Sequence, residues 1–503
     1  MANLFEVCLG DKLASSRIAV DDGASRLSYA ELAARAGRMA NALVRLGVRP
    51  GDRVAVQVEK SLANLLLYLA TLRAGAVFLP LNTAYTLAEV GYFVGDAEPR
   101  LVVCDPAAEA GVQALLRGGE GRTATLDADG QGSLAELAQA QAADFTTVPR
   151  AEDDLAAIVY TSGTTGRSKG AMLTHANLAS NARTLVEAWR FTADDVLIHA
   201  LPIYHVHGLF VAINVMLLAG GEMLFLPKFD AGQVLALMAR ATALMGVPTF
   251  YTRLLARPEL RPELAAGMRL FVSGSAPLLA ETHREWRART GHAILERYGM
   301  TETGMNVSNP YDGERIAGTV GLPLPGVQVR IADPETGAVL PQGQIGMIEV
   351  RGPNVFKGYW RMPEKTAAEF RPDGYFITGD LGQIDGRGYV SIVGRGKDLI
   401  ITGGLNVYPI EVEEQIDALP GVVESAVVGL PHADLGEAVT AVVATGGRPA
   451  PSEAEVLAAL ERSLAGFKRP KRVVFVDELP RNTMGKVQKA ALRQAYADLY
   501  RRA

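Results

Sequence analysis

The 503-residue sequence contains only two cysteines, Cys8 and Cys104, and their separation suggests no metal site. A disulfide framework is excluded, and a reducing compartment fits. No apolar run is long enough to span a membrane, since the longest, residues 208–221, is short and contains Asn214. The chain does not begin with a basic segment followed by an apolar core, so no secretory signal is predicted. We therefore expect a cytoplasmic protein, or one whose targeting segment has been removed.

An excess of positive charge is also lacking. The formal net charge is −5, from 50 Lys and Arg against 55 Asp and Glu, and no long basic stretch occurs. Nucleic acid is therefore not an expected partner, and local loops must supply positive charge if the substrates are polyanions. With 49% hydrophobic and 21% charged residues, the composition is typical of a globular protein. The length allows two to four domains or subdomains.

Strand and helix periods alternate through the first three hundred residues, as in strand 54–58, helix 62–73 and strand 77–81. This alternation predicts an α/β fold of doubly wound, mostly parallel sheets. From about residue 318, frequent Pro and Gly with short alternating strands predict an antiparallel β-subdomain. The mixed order of residues 397–503 predicts a small, independently folding α+β lid domain after an N-terminal domain of residues 1–396. Residues 106–150 have only a weak pattern.

The stretch YTSGTTGRSKG, residues 160–170, follows an apolar strand at 155–159 and precedes residues 171–189, whose spacing suits a helix. Glycines let backbone amides approach an anion, hydroxyls add donors and the cations add charge. The order of Gly and Lys is not that of a Walker loop. The alternative is a flexible turn, but such a linker rarely carries two cations. We predict a phosphate-binding loop formed by Thr161, Ser162, Gly163, Thr164, Thr165, Gly166 and Lys169.

This stretch closely resembles the phosphate loop of the acyl-adenylate-forming superfamily, which includes acyl-CoA synthetases, adenylation domains and firefly luciferase. The resemblance implies ATP, Mg²⁺ and coenzyme A as ligands. A second string, YGMTET at 298–303, resembles another signature of that superfamily. It implies that Glu302 holds the Mg²⁺ that bridges the ATP phosphates, with Thr301 near the α-phosphate. Alone, the string would be an ordinary helix cap with an exposed glutamate.

The same resemblance implies further roles. It implies that adenine and ribose are contacted by Ser275, Ala276, Pro277, Tyr298, Gly299, Asp380 and Arg395. For Asp380 and Arg395, a surface salt bridge at a turn is the alternative. Lys397 would be the hinge of the lid, and Gly403, Gly404 and Leu405 would line the tunnel for the CoA pantetheine arm. Lys486, in a PRNxxGK string, would stabilise charge on the α-phosphate during adenylation.

The segments expected to form the acid pocket are polar. A short dicarboxylate needs a cation for its second carboxylate, which arginine can grip with two hydrogen bonds. The candidates for acid binding are His207, Arg253, Ser275 and Arg284, with His205 as a catalytic candidate. Arg253 and Arg284 also suit an exposed helix surface, and His205 also suits a protein core.

Five strings, LPIYHVHGLF, VPTFYTRLL, SGSAPLLAETHREW, RYGMTETGMN and VFKGYWRMPEKT, closely resemble malonyl-CoA synthetases. The likeness implies ATP-dependent ligation of malonate, and of methylmalonate, to coenzyme A through an acyl-adenylate, with AMP and pyrophosphate as products. It also implies that Val206 and Met305 wall the α-carbon side of the pocket. A ligase for another short acid and a free-standing enzyme that loads a carrier protein remain alternatives. The sequence does not choose between monomer and dimer.

Overall fold

A computed structural model describes residues 3–161, 168–403, 405–447, 449, 451–461, 463–482 and 485–500. Its internal contacts divide the chain into two compact units. Unit 1 comprises Met1–Gln328 and Arg351–Gly374, and unit 2 comprises Val329–Val350 and Tyr375–Ala503. Most of the expected β-subdomain therefore groups with the C-terminal residues. The predicted domain boundary at 396/397 and the hinge at Lys397 stay predictions.

The strands, in chain order, are β1 (Ile18–Asp21), β2 (Arg26–Ser28), β3 (Arg53–Gln57), β4 (Val77–Pro80), β5 (Leu101–Cys104), β6 (Arg122–Thr125), β7 (Leu155–Thr161), β8 (Lys169–Thr174), β9 (Val196–His199), β10 (Glu222–Phe225), β11 (Ala243–Gly246), β12 (Leu270–Ser273), β13 (Leu295–Met300), β14 (Gly304–Ser308), β15 (Leu322–Pro323), β16 (Gln328–Ala332), β17 (Gly346–Arg351), β18 (Gly358–Tyr359), β19 (Phe376–Ile384), β20 (Val390–Arg395), β21 (Ile400–Thr402), β22 (Leu405–Val407), β23 (Glu424–His432), β24 (Gly436–Ala444) and β25 (Arg472–Val476).

The α-helices are α1 (Leu4–Leu9), α2 (Tyr29–Arg45), α3 (Leu62–Arg73), α4 (Leu87–Ala97), α5 (Glu109–Leu115), α6 (Ser133–Gln139), α7 (His175–Ala188), α8 (Asn214–Ala219), α9 (Ala231–Leu237), α10 (Pro248–Leu255), α11 (Pro262–Ala265), α12 (Ala280–Thr290), α13 (Pro363–Ala368), α14 (Pro409–Asp417), α15 (Glu453–Leu460) and α16 (Lys489–Ala495). A π-helix, His207–Ile213, runs directly into α8.

Unit 1 holds two large sheets that are parallel in their centres. One has nine strands in the order β15-β14-β13-β12-β11-β9-β10-β1-β2, and the other has seven in the order β18-β8-β7-β4-β3-β5-β6. Antiparallel pairs occur only towards the edges of these ladders, among them β7 with β8 and β13 with β14. The predicted α/β class with mostly parallel sheets is confirmed. Both sequence motifs lie on these antiparallel hairpins.

One expectation is wrong: residues 171–174 are not helical. They continue β8, which pairs antiparallel with β7 and aligns Val159 with Ala171. Helix α7 begins only at His175, after a capping box in which Thr174 Oγ1 accepts from Asn177 N at 3.1 Å. Strand pairing overrides the helical spacing of the first four residues. The phosphate-binding stretch therefore spans a β-hairpin and not a strand-to-helix turn.

The weakly patterned residues 106–150 are held by side chains from elsewhere in unit 1. The buried Arg73 donates to the carbonyls of Ala33 at 2.8 Å and Phe145 at 2.6 Å. Asn41 donates to the carbonyls of Ala142 and Asp144, each at 2.9 Å. Because these bonds join distant parts of the chain, local periodicity gave no sign of them. The segment nevertheless contains α5, β6 and α6.

Unit 2 has a four-stranded antiparallel sheet, β16-β17-β19-β20, which confirms the predicted β-subdomain strands. Its second sheet has the order β22-β21-β24-β23, and β25 pairs in parallel with β24. Helices α14 and α15 pack on this sheet through an apolar core that includes Val412, Ile416 and Val456. Among the described residues of either unit, no helix is long and apolar enough to cross a bilayer.

The close approach of α2 to residues 140–145 gives a stability prediction. A Cβ at Gly37 would overlap the Ala143 carbonyl oxygen and lie 2.9 Å from Nη1 of Arg73. We expect Gly37→Ala to lower the free energy of unfolding by about 1–3 kcal/mol through overpacking. The control is Gly95→Ala in α4, where a Cβ meets nothing within 4 Å. It is expected to raise the value by up to about 1 kcal/mol, because alanine favours helix. Denaturant titration of both variants measures this, and equal effects would contradict it.

Candidate functional site

The phosphate-binding stretch is anchored by its two flanking strands. Thr161, the last residue of β7, is paired with Lys169, the first residue of β8. The carbonyl oxygen of Ser168 accepts a hydrogen bond from Tyr92 Oη at 2.7 Å. The predicted phosphate ligands Ser162, Gly163, Thr164, Thr165 and Gly166 lie outside the described residues. The described part thus brings the hydroxyl of Thr161 and the ammonium of Lys169 to one end of the hairpin.

The second motif comes to the same place. Thr301 and Glu302 form the turn between β13 and β14, and Glu302 is only 5% exposed. Its Oε1 accepts from Thr161 Oγ1 at 3.4 Å and lies 3.1 Å from Tyr359 Oη. Residues 141 positions apart in sequence therefore meet, and the interpretation of Glu302 as an exposed helix cap is excluded.

The donor set around Glu302 fits a magnesium ion held mainly by phosphate. Mg²⁺ prefers one or two carboxylates with phosphate and water oxygens. Among the residues that the structure describes, no group of three or more His, Cys, Asp or Glu side chains forms a protein-only metal cage. The buried Glu302 carboxylate beside the Thr161 hydroxyl is consistent with a metal that arrives with a nucleotide.

A buried guanidinium that the sequence analysis missed lies on β13. Arg297 is 4% exposed, and its Nε and Nη2 have no hydrogen-bond partner among the described residues. Burial lowers the pKa of Arg297 to about 9, so it remains a cation at neutral pH. A Cβ on Gly274 would overlap this guanidinium, so glycine is needed for its close approach. The only signal in the sequence was an arginine directly before the YGMTET motif.

Two predicted pocket residues lie beside this arginine. Ser275 follows Gly274 with a left-handed φ of 71°, and its Oγ lies 3.3 Å from Nδ1 of His207. Burial, and then the charge of Arg297, hold the pKa of His207 well below its usual range. Strained backbone at a non-glycine residue is typical of functional sites. Ala276 and Pro277 complete this turn.

A lysine and a histidine that the sequence analysis also missed hold the HVHG segment, residues 205–208, in place. Buried Lys60 donates to Nδ1 of His199 at 2.8 Å, and Nε2 of His199 donates to the carbonyl of Gly208 at 2.8 Å. Burial lowers the pKa of Lys60 well below its usual range. This chain of hydrogen bonds anchors the start of the π-helix, an element common at functional sites. His205 accepts at Nδ1 from the backbone N–H of His207 at 3.3 Å.

The other acid-pocket candidates fall into two groups. Val206 and Met305 are buried, and Val206 lines a small cavity together with Thr301 and Gly304. Arg253, on α10, and Arg284, on α12, are both exposed in this structure. Their roles in acid binding stay predictions, as do the adenine contacts of Tyr298 and Gly299 on β13. Sequence alone could not tell these exposed arginines from the buried one.

The remaining candidates belong to unit 2. Asp380 on β19 is paired with Arg395 on β20, and Oδ1 of Asp380 lies 2.8 Å from Nε of Arg395. The neighbour of Lys397, Asp398, forms an ion pair with Arg493 at 2.6 Å. Gly403 has a left-handed φ of 56°, Leu405 is exposed, and Gly404 lies outside the described residues. The roles of these residues in ribose binding, hinge motion and CoA binding stay predictions.

Lys486 lies in a short loop closed by Asn482. The backbone N–H of Lys486 donates to Oδ1 of Asn482 at 2.9 Å, and the N–H of Asn482 donates to the carbonyl of Lys486 at 3.0 Å. Lys486 therefore lies before helix α16, which begins at Lys489. Its catalytic role stays a prediction.

Comparison with known proteins supplies the family. The family model described as "AMP-binding enzyme" matches residues 11–360. A second model, described as "AMP-binding enzyme C-terminal domain", matches residues 411–486. The chain belongs to the AMP-binding enzyme family. It is 65% identical to ATP-bound MatB from Rhodopseudomonas palustris, with 99% of each chain covered and a TM-score of 0.98. The predicted superfamily and its fold are thereby confirmed.

Curated relatives of this AMP-binding enzyme differ in the acid that they are named for. A feruloyl-CoA synthase from Amycolatopsis sp is 38% identical, covering 95% of this chain and 96% of the relative. A malonate–CoA ligase from Arabidopsis thaliana is 34% identical, covering 95% of this chain and 86% of the relative. Their identities are too similar to choose between an aromatic acid and a dicarboxylate. That choice depends on the side chains of the site.

The buried histidines give a pH prediction. Burial lowers the pKa of His175 to about 4, and the pKa of His199 and His207 well below its usual range. Below pH about 6.5 the unfolded chain binds protons at these histidines that the folded chain does not, so their contribution to stability falls as pH falls. From pH 7.5 to 5.5 we expect a loss of about 1 kcal/mol per buried histidine. Burial raises the pKa of Glu296 to about 8 and that of Asp417 to about 7, so these two carboxyls act in the opposite sense over this range.

Urea denaturation of the wild type and of His175→Gln across this pH range isolates the contribution of one histidine. Relative to the wild type, His175→Gln should gain about 1 kcal/mol of unfolding free energy between pH 7.5 and 5.5, because it lacks one of the three imidazoles. A difference between the two proteins that is constant from pH 7.5 to 5.5 would contradict the prediction.

Proposed function

We propose that this AMP-binding enzyme is a malonate–CoA ligase that forms AMP and also accepts methylmalonate. The observation that carries the choice of acid is the buried Arg297, whose Nε and Nη2 have no hydrogen-bond partner among the described residues. An unpaired buried cation is costly, so its presence favours a substrate that brings a second negative charge. Malonate supplies that charge, whereas acetate, benzoate and ferulate do not. The 65% identity to MatB, and the relatives named malonate–CoA ligase, support the same choice.

In the first half-reaction, one carboxylate oxygen of malonate attacks the α-phosphorus of ATP. The bond between the α- and β-phosphates breaks, and pyrophosphate leaves. Arg297, with Ser275 and His207, would hold the second carboxylate, and this fixes which carboxylate reacts. Lys169 and the hydroxyl of Thr161 would bind phosphate oxygens. Neutral His207 can donate a hydrogen bond without adding charge.

Glu302 and Thr161 would hold Mg²⁺, which supplies positive charge to the triphosphate. From unit 2, Asp380 and Arg395 would bind the ribose, and Lys486 would stabilise negative charge at the α-phosphate. In the second half-reaction, the CoA thiol attacks the malonyl carbonyl, AMP leaves with the carboxylate-derived oxygen, and the thiol proton passes to solvent. Gly403, Gly404 and Leu405 would guide the pantetheine arm, and Lys397 would be the hinge between the half-reactions.

The proposed cytosolic location follows from the proposed substrates, ATP and CoA, and from two free, buried cysteines. Oligomeric state does not enter the proposal. A carrier protein in place of CoA remains the alternative acceptor.

The test of the acid is pyrophosphate release with ATP, Mg²⁺ and CoA, comparing malonate, methylmalonate, acetate, benzoate and ferulate. We expect the highest kcat/KM for malonate. In Arg297→Met we expect kcat/KM for malonate to fall by about 30- to 1,000-fold, while the dissociation constant for ATP changes by less than about twofold. Because the variant removes a buried unpaired charge, its free energy of unfolding should not fall.

Alanine variants of three exposed arginines complete this test of acid binding. Arg253→Ala and Arg284→Ala examine the two other candidates, and Arg287→Ala, an exposed position on α12 with no predicted role, is the matched control. A monoacid preferred over malonate would leave the adenylation chemistry in place and overturn the dicarboxylate. A stable Arg297→Met enzyme with unchanged malonate kinetics would contradict the role of Arg297.

The metal assignment gives a separate prediction. In Glu302→Gln, we expect the Mg²⁺ concentration for half-maximal pyrophosphate release to rise by about tenfold, because a neutral amide is a weaker Mg²⁺ ligand than a carboxylate. Titration of Mg²⁺ at saturating ATP and malonate measures the change. An equal loss of rate at every Mg²⁺ concentration would contradict the role of Glu302 as a metal ligand.

A further inference from the structure

Lys169, the last cation of the phosphate-binding stretch, has a carboxylate partner inside unit 1. Its Nζ lies 3.1 Å from Oε1 of Glu369 and 4.1 Å from the centroid of the Tyr359 ring. The whole residue is 8% exposed, so the ammonium has little contact with solvent. Glu369 was not among the residues that the sequence analysis selected. It directly follows α13, and the proposed reaction gives it no part.

Glu369 is held by two further donors. Lys365, one turn earlier on α13, donates to the same Oε1 at 2.8 Å, and Tyr359 donates from Oη to Oε2 at 2.6 Å. Tyr359 Oη also lies 3.1 Å from Oε1 of Glu302. The carboxylate of Glu369 therefore has two cations on one oxygen and a hydroxyl on the other. If Lys169 moved away, Lys365 and Tyr359 would still satisfy it.

We propose that Glu369 is an exchangeable counter-ion for Lys169. Lys169 leaves Glu369 when the triphosphate of ATP binds, and it returns when pyrophosphate departs. The proposal rests on the proposed function, in which Lys169 binds phosphate. Lys365 makes the exchange possible, because it leaves a cation on the carboxylate after Lys169 has moved. A lysine suits this task, since its ammonium is a compact charge on a flexible stem. Glu369 is thus a positioning residue that sets the affinity for ATP and for pyrophosphate.

A purely structural ion pair leads to different expectations. If the pair only stabilised the fold around α13, loss of either Glu369 or Lys365 would disturb the site and weaken nucleotide binding. Exchange requires effects of opposite sign. Without Glu369, Lys169 has no partner to leave, so ATP binds more tightly. Without Lys365, Lys169 is the one cation left on Glu369 among the described residues, so ATP binds more weakly.

The experiment is calorimetric titration of ATP with Mg²⁺, without an acid substrate, into the full-length protein. For Glu369→Gln we expect the dissociation constant to fall by about three- to tenfold, and for Lys365→Met to rise by about two- to fivefold. The matched control is Glu364→Gln, which makes the same change at an exposed position on the same helix. It should bind ATP within twofold of the wild type.

Pyrophosphate inhibition gives a second readout that a structural role would not produce. In Glu369→Gln, the inhibition constant for pyrophosphate and the KM for ATP should both fall about three- to tenfold, while kcat does not rise. Glu369→Asp, which restores the charge, should return both values towards those of the wild type. If Glu369→Gln fails to fold, as thermal unfolding would reveal, the Lys365→Met and Glu369→Asp titrations decide the question.

Unchanged or weaker ATP binding in a folded Glu369→Gln protein, with normal binding by the wild type, overturns the exchange and leaves the proposed function standing. Weaker binding in both Glu369→Gln and Lys365→Met supports the structural ion pair and also overturns it. A wild-type protein that binds no ATP overturns the proposed function itself.

Discussion

The hydrogen-bonded ladder of β7, β8 and β18 is the constraint on which the phosphate side of the site depends. Pairing of β7 with β8 puts Thr161 opposite Lys169. Pairing of β8 with β18 aligns Ala171 with Tyr359, and the backbone N–H of Trp360 extends this ladder by donating to the carbonyl of Gly170 at 2.8 Å. Because strand register sets every side chain on the ladder, one alignment brings a hydroxyl, an ammonium and a phenol together. Glu302 then reaches this group from the other large sheet.

The acid side of the site depends on a different constraint, the cost of an unpaired charge. Arg297 is buried on β13, and the glycine at position 274 lets its guanidinium lie against the next turn. A protein selected for stability alone would place an apolar residue there. Retention of a cation indicates that something other than folding uses it. The same argument supports the proposed acid, since a substrate with a second negative charge would offset the desolvation of the arginine.

Sequence alone predicted the features that have local causes. The parallel sheets follow from alternating helix and strand periods, and the phosphate-binding stretch follows from its Gly, Thr and Lys content. Residues 171–174 were mispredicted because their helical spacing competes with a strand partner, β7, that local periodicity does not reveal. Arg297 and Glu369 were missed for a related reason. An arginine in a strand and a glutamate after a helix look like surface charges, and only long-range packing buries them.

The proposed roles also account for the use of two kinds of cation. Arg297 is buried against Gly274, and a planar guanidinium there suits one fixed carboxylate geometry. Lys169 lies between a carboxylate and an aromatic ring, and its charge is not tied to one direction of approach. A group that recognises one substrate geometry binds better when its own position is fixed. A group that must release pyrophosphate in each turnover releases it more easily when another anion can take its place. In the proposed exchange, Glu369 is that partner within the same unit, and Lys365 leaves a cation on Glu369 after Lys169 has moved.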